Sequence, residues 1–219
     1  METMCDATTV QGPQTSGAQP RISPRLLDRI EQVVLIALWT WLVWRVAGSP
    51  NIFAWLAIAS ESVILFFLLF RRPTEAISTR AGDWFVAITA TVAPMLLIMA
   101  DSPLFGLGWL ALALVIAGDA FQIWAKLVLR RSFGIAPANR GVKTGGPYAL
   151  VRHPMYAGYI IAQVGVLIAI PSLFNLGVIA LGWVAQVMRI RREEEMLMQD
   201  ASYREMAARV PWRLFPGIW

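Results

Sequence analysis

Six apolar segments separated by short loops limit what this chain can fold into. The segments cover residues 30–47, 51–70, 83–100, 104–128, 155–170 and 173–190. Each is close to the length that a helix needs to cross the ~30 Å hydrocarbon core of a bilayer. Because only helices and closed barrels satisfy their backbone polar groups in lipid, the segments predict an all-α fold. We expect a polytopic membrane helical bundle of five to six transmembrane helices.

The composition excludes an ordinary soluble domain. Hydrophobic residues make up 57% of the 219 residues and charged residues only 15%, whereas soluble domains carry about 25% charged residues. The formal net charge is +5, and in a membrane protein such a surplus orients the chain and contacts anionic lipid. Nucleic-acid binding is not predicted, because the basic residues lie in short loops between apolar segments.

The distribution of positive charge predicts the orientation. Loops with and without basic residues alternate along the whole chain, and the basic ones include both ends and the long loop before the fifth segment. Under the positive-inside rule, both termini and that loop lie in the cytoplasm. The fifth and sixth segments, joined only by Pro171 and Ser172, predict a tight helical hairpin. Residues 1–20 predict a disordered tail, and 21–219 a single membrane domain.

Cysteine and histidine are too scarce for common metal chemistry. One cysteine excludes an intrachain disulfide, and one histidine argues against a histidine-rich metal site. We therefore expect no metal, and chemistry that relies on an organic cofactor or on carboxylates and arginines.

Several polar residues interrupt the apolar segments. Asp119, Gln122 and Lys126 are spaced to share one helix face, and Glu61 lies near the middle of the second segment. Such groups either bond neighbouring helices together or line a cavity. We interpret Glu61 as a helix–helix contact and leave both alternatives open for Asp119. Arg45 is expected to extend to the outer interface.

The stretch 140–158 is the longest polar interval between apolar segments, and it contains His153. Gly145, Gly146 and Pro147 predict a turn. His153 precedes Pro154 and is expected to be extended, with the proline in the first turn of the fifth helix. From these residues alone, a membrane re-entry corner and a cofactor site are equally well supported.

A second polar segment follows the sixth apolar segment. Arg189 and Glu193 are four residues apart and share a helix face. Glu193 also begins a run of three glutamates, which is an abrupt change of sign at the predicted end of the helix. Surface ion pairing is the alternative explanation for this run.

Together the two segments resemble the isoprenylcysteine carboxyl methyltransferase family of integral membrane methyltransferases. The shared pattern is G-x-Y-x-x-x-R-H-P-x-Y-x-G, an apolar hairpin, then R-x-x-x-E-E-x-x-L and a tyrosine followed by R-V-P. It covers about the last 80 residues, so that 30–130 are expected to be N-terminal helices and 131–219 the catalytic region.

The resemblance implies S-adenosylmethionine as the methyl donor, bound at the cytoplasmic face. It also implies that Arg189 contacts the methyl acceptor, a lipophilic or small molecule with a carboxylate or thiolate, and is the catalytic residue. Glu193 would hold the amino group or ribose of the cofactor, and His153 its carboxylate. The implied cofactor contacts are Arg140, Gly141, Val142, Lys143, Tyr148, His153, Pro154, Met155, Tyr156 and Glu193.

Two other functions compete with this one. Membrane sterol reductases have a similar His-Pro-Tyr region but bind NADPH, and they are longer. A scaffold or transporter would use the basic loops only to bind lipid. We expect an integral protein of a bacterial inner membrane, with the lipid bilayer and the methyl acceptor as its partners.

Overall fold

The computed structural model describes residues 23–70, 78, 80–98, 107–132, 134 and 141–219, and in these ranges the protein is helical without strands. Seven α-helices cover Pro24–Val46 (α1), Ile52–Leu69 (α2), Ala81–Val92 (α3), Gly108–Leu129 (α4), Pro154–Ala169 (α5), Leu173–Leu197 (α6) and Ala201–Arg209 (α7). Three short 3₁₀ turns cover Ala93–Leu96, Arg130–Ser132 and Gly146–Ala149. The all-α prediction is confirmed. The predicted tail, 1–20, lies outside the described residues.

Helices α1 to α6 fall on the six predicted apolar segments. In the described part of the chain, α2, α4 and α6 are long and apolar enough to cross a membrane, while Ala81–Leu96 and α5 are apolar but shorter. Large apolar side chains such as Trp44, Phe85 and Trp109 are mostly exposed on the helix surfaces. An outer surface of this kind is that of a helical bundle in lipid.

Polar side chains cap the N-termini of several helices. The Ser23, Asn51 and Ser172 side chains accept hydrogen bonds from the first-turn amides of α1, α2 and α6, which satisfies donors that have no partner inside a helix. Asp200 caps α7 in the same way, after a turn of only three residues that follows α6.

The third apolar segment does not form one continuous helix. It changes to a 3₁₀ turn at Ala93, where Pro94 removes a backbone donor. Arg45 of α1 donates to the carbonyls of Met95 and Leu97 there, the latter at 2.8 Å. These bonds satisfy carbonyls that this helix end leaves without amide partners, and the extension of Arg45 to the outer interface stays a prediction.

Helices α4 and α5 form the most extensive helix pair among the described elements. Their backbones touch at Gly118, Gly158 and Gly165. A Cβ atom at Gly158 would lie 2.7 Å from the carbonyl oxygen of Gly118, and one at Gly118 only 2.4 Å from the amide nitrogen of Ala162. Small residues allow this approach, as in other membrane helix pairs.

A short turn of three residues, 170–172, connects α5 to α6, one residue longer than predicted. Asn175, fully buried at the start of α6, donates to the carbonyls of Ile170 and Ile98 at 3.1 Å each and accepts from the amide of Ile98 at 3.0 Å. One side chain thus joins the hairpin turn to the segment that follows the break in α3.

Candidate functional site

The loop before α5 is shaped by its glycines and prolines. Gly146 has a φ of +59°, a conformation that glycine adopts without strain, and it begins the 3₁₀ turn Gly146–Ala149. His153 is non-helical at φ −126° and ψ 58°, and Pro154 is the first residue of α5. The turn and the position of Pro154 are as expected, but His153 is neither helical nor extended, and its side chain is buried.

The C-terminal segment pairs with this corner through its backbone. The amides of Arg152 and His153 donate to the carbonyls of Trp212 and Arg213 at 2.9 and 2.8 Å. The Arg152 guanidinium also donates to the carbonyl of Pro211 at 3.1 Å. The orientation of residues 152–153 therefore depends on a segment nearly 60 residues further along the chain.

Glu194 is a buried carboxylate at the centre of this region, and our sequence analysis did not single it out. Its oxygens lie 3.0 Å from Arg152 Nη1, 2.6 Å from Arg213 Nε and 3.3 Å from His153 Nε2. The hydroxyl of Tyr203 donates to the same carboxylate at 3.3 Å. Adjacent basic residues such as Arg152 and His153, once buried, require a counter-charge, and this was the signal that could have identified Glu194.

A first cavity, here the loop cavity, encloses about 70 Å³ between the loop, α5, α6 and α7. Eight of the ten predicted cofactor contacts line it, namely Gly141, Val142, Lys143, Tyr148, His153, Met155, Tyr156 and Glu193. Pro154 does not line it, and Arg140 lies outside the described residues. Glu193 accepts a 2.8 Å hydrogen bond from the hydroxyl of Tyr156. The two distant polar segments therefore meet here.

Arg152 also lines the loop cavity, although the sequence analysis did not assign it a role. It is buried, and among the described residues its Nε has no hydrogen-bond partner. A buried donor without a partner is costly, so this nitrogen is a natural contact for an anionic group of a ligand.

Two tyrosines of the loop cavity are neutral hydrogen-bond donors. Burial raises the pKa of the Tyr148 hydroxyl well above its usual value, and the Glu193 carboxylate adds to this effect. Burial, followed by the charge of Glu194, raises the pKa of Tyr203 as well. Both therefore offer an O–H group and no negative charge at physiological pH.

Arg189 lies on the other side of Tyr156. Its guanidinium carbon is 5.2 Å from the centre of the Tyr156 ring, within the range of a cation–π contact. Its Nη2 donates to the carbonyl of Gly134 at 3.2 Å, while its Nε has no partner within the described ranges. Tyr156 thus contacts the predicted acceptor residue and also lines the loop cavity.

A second cavity, here the arginine cavity, contains Arg189. It encloses about 40 Å³ and is lined by Glu61, Ile64, Ala90, Thr91, Pro94, Tyr159, Gln186 and Arg189. A third and larger one, the membrane cavity, encloses about 260 Å³ between α1, α2, α4 and α5. Glu61, Pro94 and Tyr159 line both, so the two cavities adjoin each other.

The polar face of α4 bonds to a neighbouring helix and also lines a cavity, so both alternatives for it are observed. Lys126 is fully buried and donates to Gln122 at 2.6 Å, and Gln122 donates to Ser60 of α2 at 2.8 Å and to Asp119 at 2.5 Å. Asp119, Gln122 and Glu61 line the membrane cavity. Our interpretation of Glu61 as only a helix contact therefore misses its exposure to two cavities.

The loop cavity has the donors and acceptors that S-adenosylmethionine requires. Glu193 offers a carboxylate for an amino group or ribose hydroxyls, and Arg152 and Lys143 offer cations for a carboxylate. The tyrosine rings offer apolar and aromatic surface. Because the enclosed volume is small, a nucleoside-sized ligand has to extend beyond it.

Comparison with known proteins supports the same chemistry. Residues 104–205 match the family model described as phospholipid methyltransferase, which confirms the resemblance to integral membrane methyltransferases. The match starts at the N-terminal side of α4, so the shared region begins earlier than the 131–219 expected from the motifs. It favours a methyltransferase over an NADPH-dependent reductase or a scaffold.

One curated protein is also similar to this chain. The cobalt-zinc-cadmium resistance protein CzcN of Cupriavidus metallidurans is 27% identical over 148 residues, which cover 64% of this chain and 64% of CzcN. The chain therefore spans just under two thirds of the length of that relative.

Proposed function

We propose, from the match of residues 104–205 to the phospholipid methyltransferase family, that this protein is a membrane methyltransferase that uses S-adenosylmethionine and a lipophilic acceptor. The observation that carries the proposal is the position of Tyr156, whose hydroxyl bonds to Glu193 in the loop cavity and whose ring contacts Arg189 in the arginine cavity. A donor site and an acceptor site are thus one side chain apart.

The loop cavity is proposed as the cofactor site. Bound there, S-adenosylmethionine supplies a methyl group on a positively charged sulfur. Glu193 binds its amino group or ribose, and the backbone of 141–143 lies against it. His153 is a weaker candidate for the cofactor carboxylate than the motifs implied, because its Nε2 faces Glu194 at 3.3 Å. Lys143 and Arg152 are better placed for that group, since the Nε of Arg152 has no partner in the described part of the chain.

Arg189 is proposed to orient the acceptor. Its Nε, which has no partner among the described residues, can donate to an oxygen or to a thiolate of the acceptor, and its guanidinium packs on the Tyr156 ring. Holding the nucleophile in line with the transferred methyl group supplies much of the rate of such a reaction. The membrane cavity beside the arginine cavity gives an apolar tail a place within the bilayer. The active site and both termini are proposed to lie on the cytoplasmic side.

The experiment separates binding of the donor from turnover. The purified protein in lipid nanodiscs is tested for binding of S-adenosylmethionine and for methyl transfer from labelled donor to a membrane lipid extract. We expect Glu193→Ala to weaken donor binding by about tenfold or more, the value of a charged hydrogen bond. Arg189→Ala is expected to bind the donor normally and to lose turnover.

The matched control is Arg191→Ala, an exposed arginine of the same helix, which should change neither quantity. Binding of NADPH in place of S-adenosylmethionine would favour the reductase. Wild-type donor affinity in Glu193→Ala would show that the carboxylate has been assigned incorrectly.

A further inference from the structure

Glu61 is a cavity-lining carboxylate that has no role in the proposed function. It lies near the middle of α2 and lines both the arginine cavity and the membrane cavity. Among the described residues that line the arginine cavity, it is the only carboxylate, and Arg189 is the only cation. An acceptor that reaches Arg189 therefore also meets Glu61.

A hydrogen-bond network holds the polar wall on which Glu61 lies. Lys126 of α4 donates to Gln122, and the Gln122 amide donates to Ser60, the residue before Glu61. The Lys126 ammonium is also 5.1 Å from the Tyr159 ring, which lines the same two cavities. Because a buried ammonium requires nearby negative charge, Lys126 favours ionised carboxylates at this wall.

Charged groups from two other helices surround the region of Glu61. Lys126 and Asp119 of α4 interact with it electrostatically, and Arg189 of α6 shares its cavity. Lys126 partly offsets the charges of Glu61 and Asp119, while Arg189 lines the arginine cavity together with Glu61. The charge of Lys126 favours the carboxylate form of Glu61 and opposes the cost of burying an isolated charge.

Arg189 provides the independent sign that a ligand belongs in this cavity. Arg189 is only 5% exposed, and its Nε has no hydrogen-bond partner among the residues that the structure describes. Unsatisfied buried donors are rare in native proteins. A ligand that binds here would accept a hydrogen bond from the Nε of Arg189 through an oxygen or sulfur atom. Its nucleophile would then lie between Arg189 and Glu61.

We propose that the acceptor is a nucleophile that carries a proton, an amine or a thiol, and that Glu61 accepts this proton. The inference rests on the proposed function. The acceptor nitrogen or sulfur forms the new bond to the methyl carbon, the electron pair of the broken S–C bond stays on the donor sulfur, and the released proton binds the Glu61 carboxylate. A carboxylate acceptor releases no proton, and Glu61 would repel it.

The first test compares three acceptors with the same apolar tail. Dodecylamine, dodecanethiol and dodecanoate are each incubated with the full-length protein in nanodiscs and methyl-labelled S-adenosylmethionine. We expect methylation of the amine or the thiol, with a product that withstands alkali. A methyl ester, by contrast, releases methanol in alkali. Methylation of dodecanoate alone, or of none of the three, overturns the inference.

The second test changes Glu61 itself. Glu61→Gln keeps the size and hydrogen-bonding capacity but cannot take up the proton, and we expect kcat to fall by about 100-fold or more. Glu61→Asp keeps the carboxylate and is expected to recover part of the lost rate. Glu195→Gln, an exposed acid paired with Arg192, is the matched control and should behave as wild type.

Donor binding, measured on the same samples, distinguishes the two levels of failure. If the wild-type protein does not bind S-adenosylmethionine, the proposed function itself is wrong. Normal donor binding together with wild-type kcat in Glu61→Gln would leave the methyltransferase in place and refute the role of Glu61.

Discussion

Substitution of Gly158 by alanine tests how closely α4 and α5 must pack to form the site. The new Cβ would lie 2.7 Å from the carbonyl oxygen of Gly118 and 2.8 Å from the amide nitrogen of Gln122. Ordinary contact begins at 3.4 Å, so the shortfall, the difference between 3.4 and 2.7 Å, is about 0.7 Å. Both neighbours include backbone atoms of a helix, and the helices must therefore move apart.

The expected loss in the free energy of unfolding follows from this displacement of the helices. Overpacking of a well-packed interface costs about 1–3 kcal/mol. For a chain of this length that corresponds to a fall in Tm of about 2–4 °C for each kcal/mol. Thermal unfolding in detergent micelles, measured with and without S-adenosylmethionine, gives the value. Because Tyr156 lies half a turn from Gly158 in α5, donor binding is expected to weaken too.

The control for this prediction is Gly177→Ala. Gly177 is exposed in α6, and a Cβ there meets no atom within 4 Å. The methyl group only adds helix propensity, up to about 1 kcal/mol in favour of the fold. Equal stabilities of the two variants would refute the claim that contact between α4 and α5 requires glycine at position 158.

Three further predictions follow from the side chains of the site and the hairpin. Tyr156→Phe keeps the ring and loses the 2.8 Å bond that positions Glu193, and we expect S-adenosylmethionine affinity, measured by direct binding, to fall by about tenfold, which corresponds to about 1.5 kcal/mol. Glu194→Gln removes the counter-charge of the buried Arg152 and is expected to cost about 3 kcal/mol in unfolding experiments; a smaller loss than in an exposed-acid control would contradict this. Asn175→Ala leaves Ile98 and Ile170 backbone groups without a partner and is expected to lower stability by about 2 kcal/mol without changing donor affinity.

The positions of the helices were predictable because lipid imposes a simple rule on sequence. Apolar segments of sufficient length identify α1 to α6, and the Pro171–Ser172 connection identifies the hairpin. The end of α6 was less predictable. Its hydrophobic pattern stops near residue 190, yet the helix continues to Leu197. In its last two turns, Glu193 lines the loop cavity and Glu194 pairs with Arg152.

The site was predictable only as far as local patterns reach. The motif around His153 and Glu193 indicates a cofactor region, and eight predicted contacts line one cavity. Glu194, the unpartnered Nε of Arg152 and the cavity position of Glu61 depend on which residues meet in space. The bonds of Arg45 to Met95 and Leu97 span about 50 residues, and no periodicity in the sequence could have indicated them.

Tyr156 explains why the two halves of this site belong to neighbouring helices. Arg189 and Glu193 lie one turn apart on α6, and both contact the same tyrosine in the first turn of α5. The two helices are joined at their far ends by the three residues 170–172, and Asn175 bonds to the carbonyl of Ile170 in that turn. In the proposed function, a polar donor from water and an apolar acceptor from lipid meet at this ring, whose position depends on how α5 and α6 are connected. Flexibility in the loop before α5 would affect donor binding, whereas loosening of the hairpin would change the distance between the two reactants.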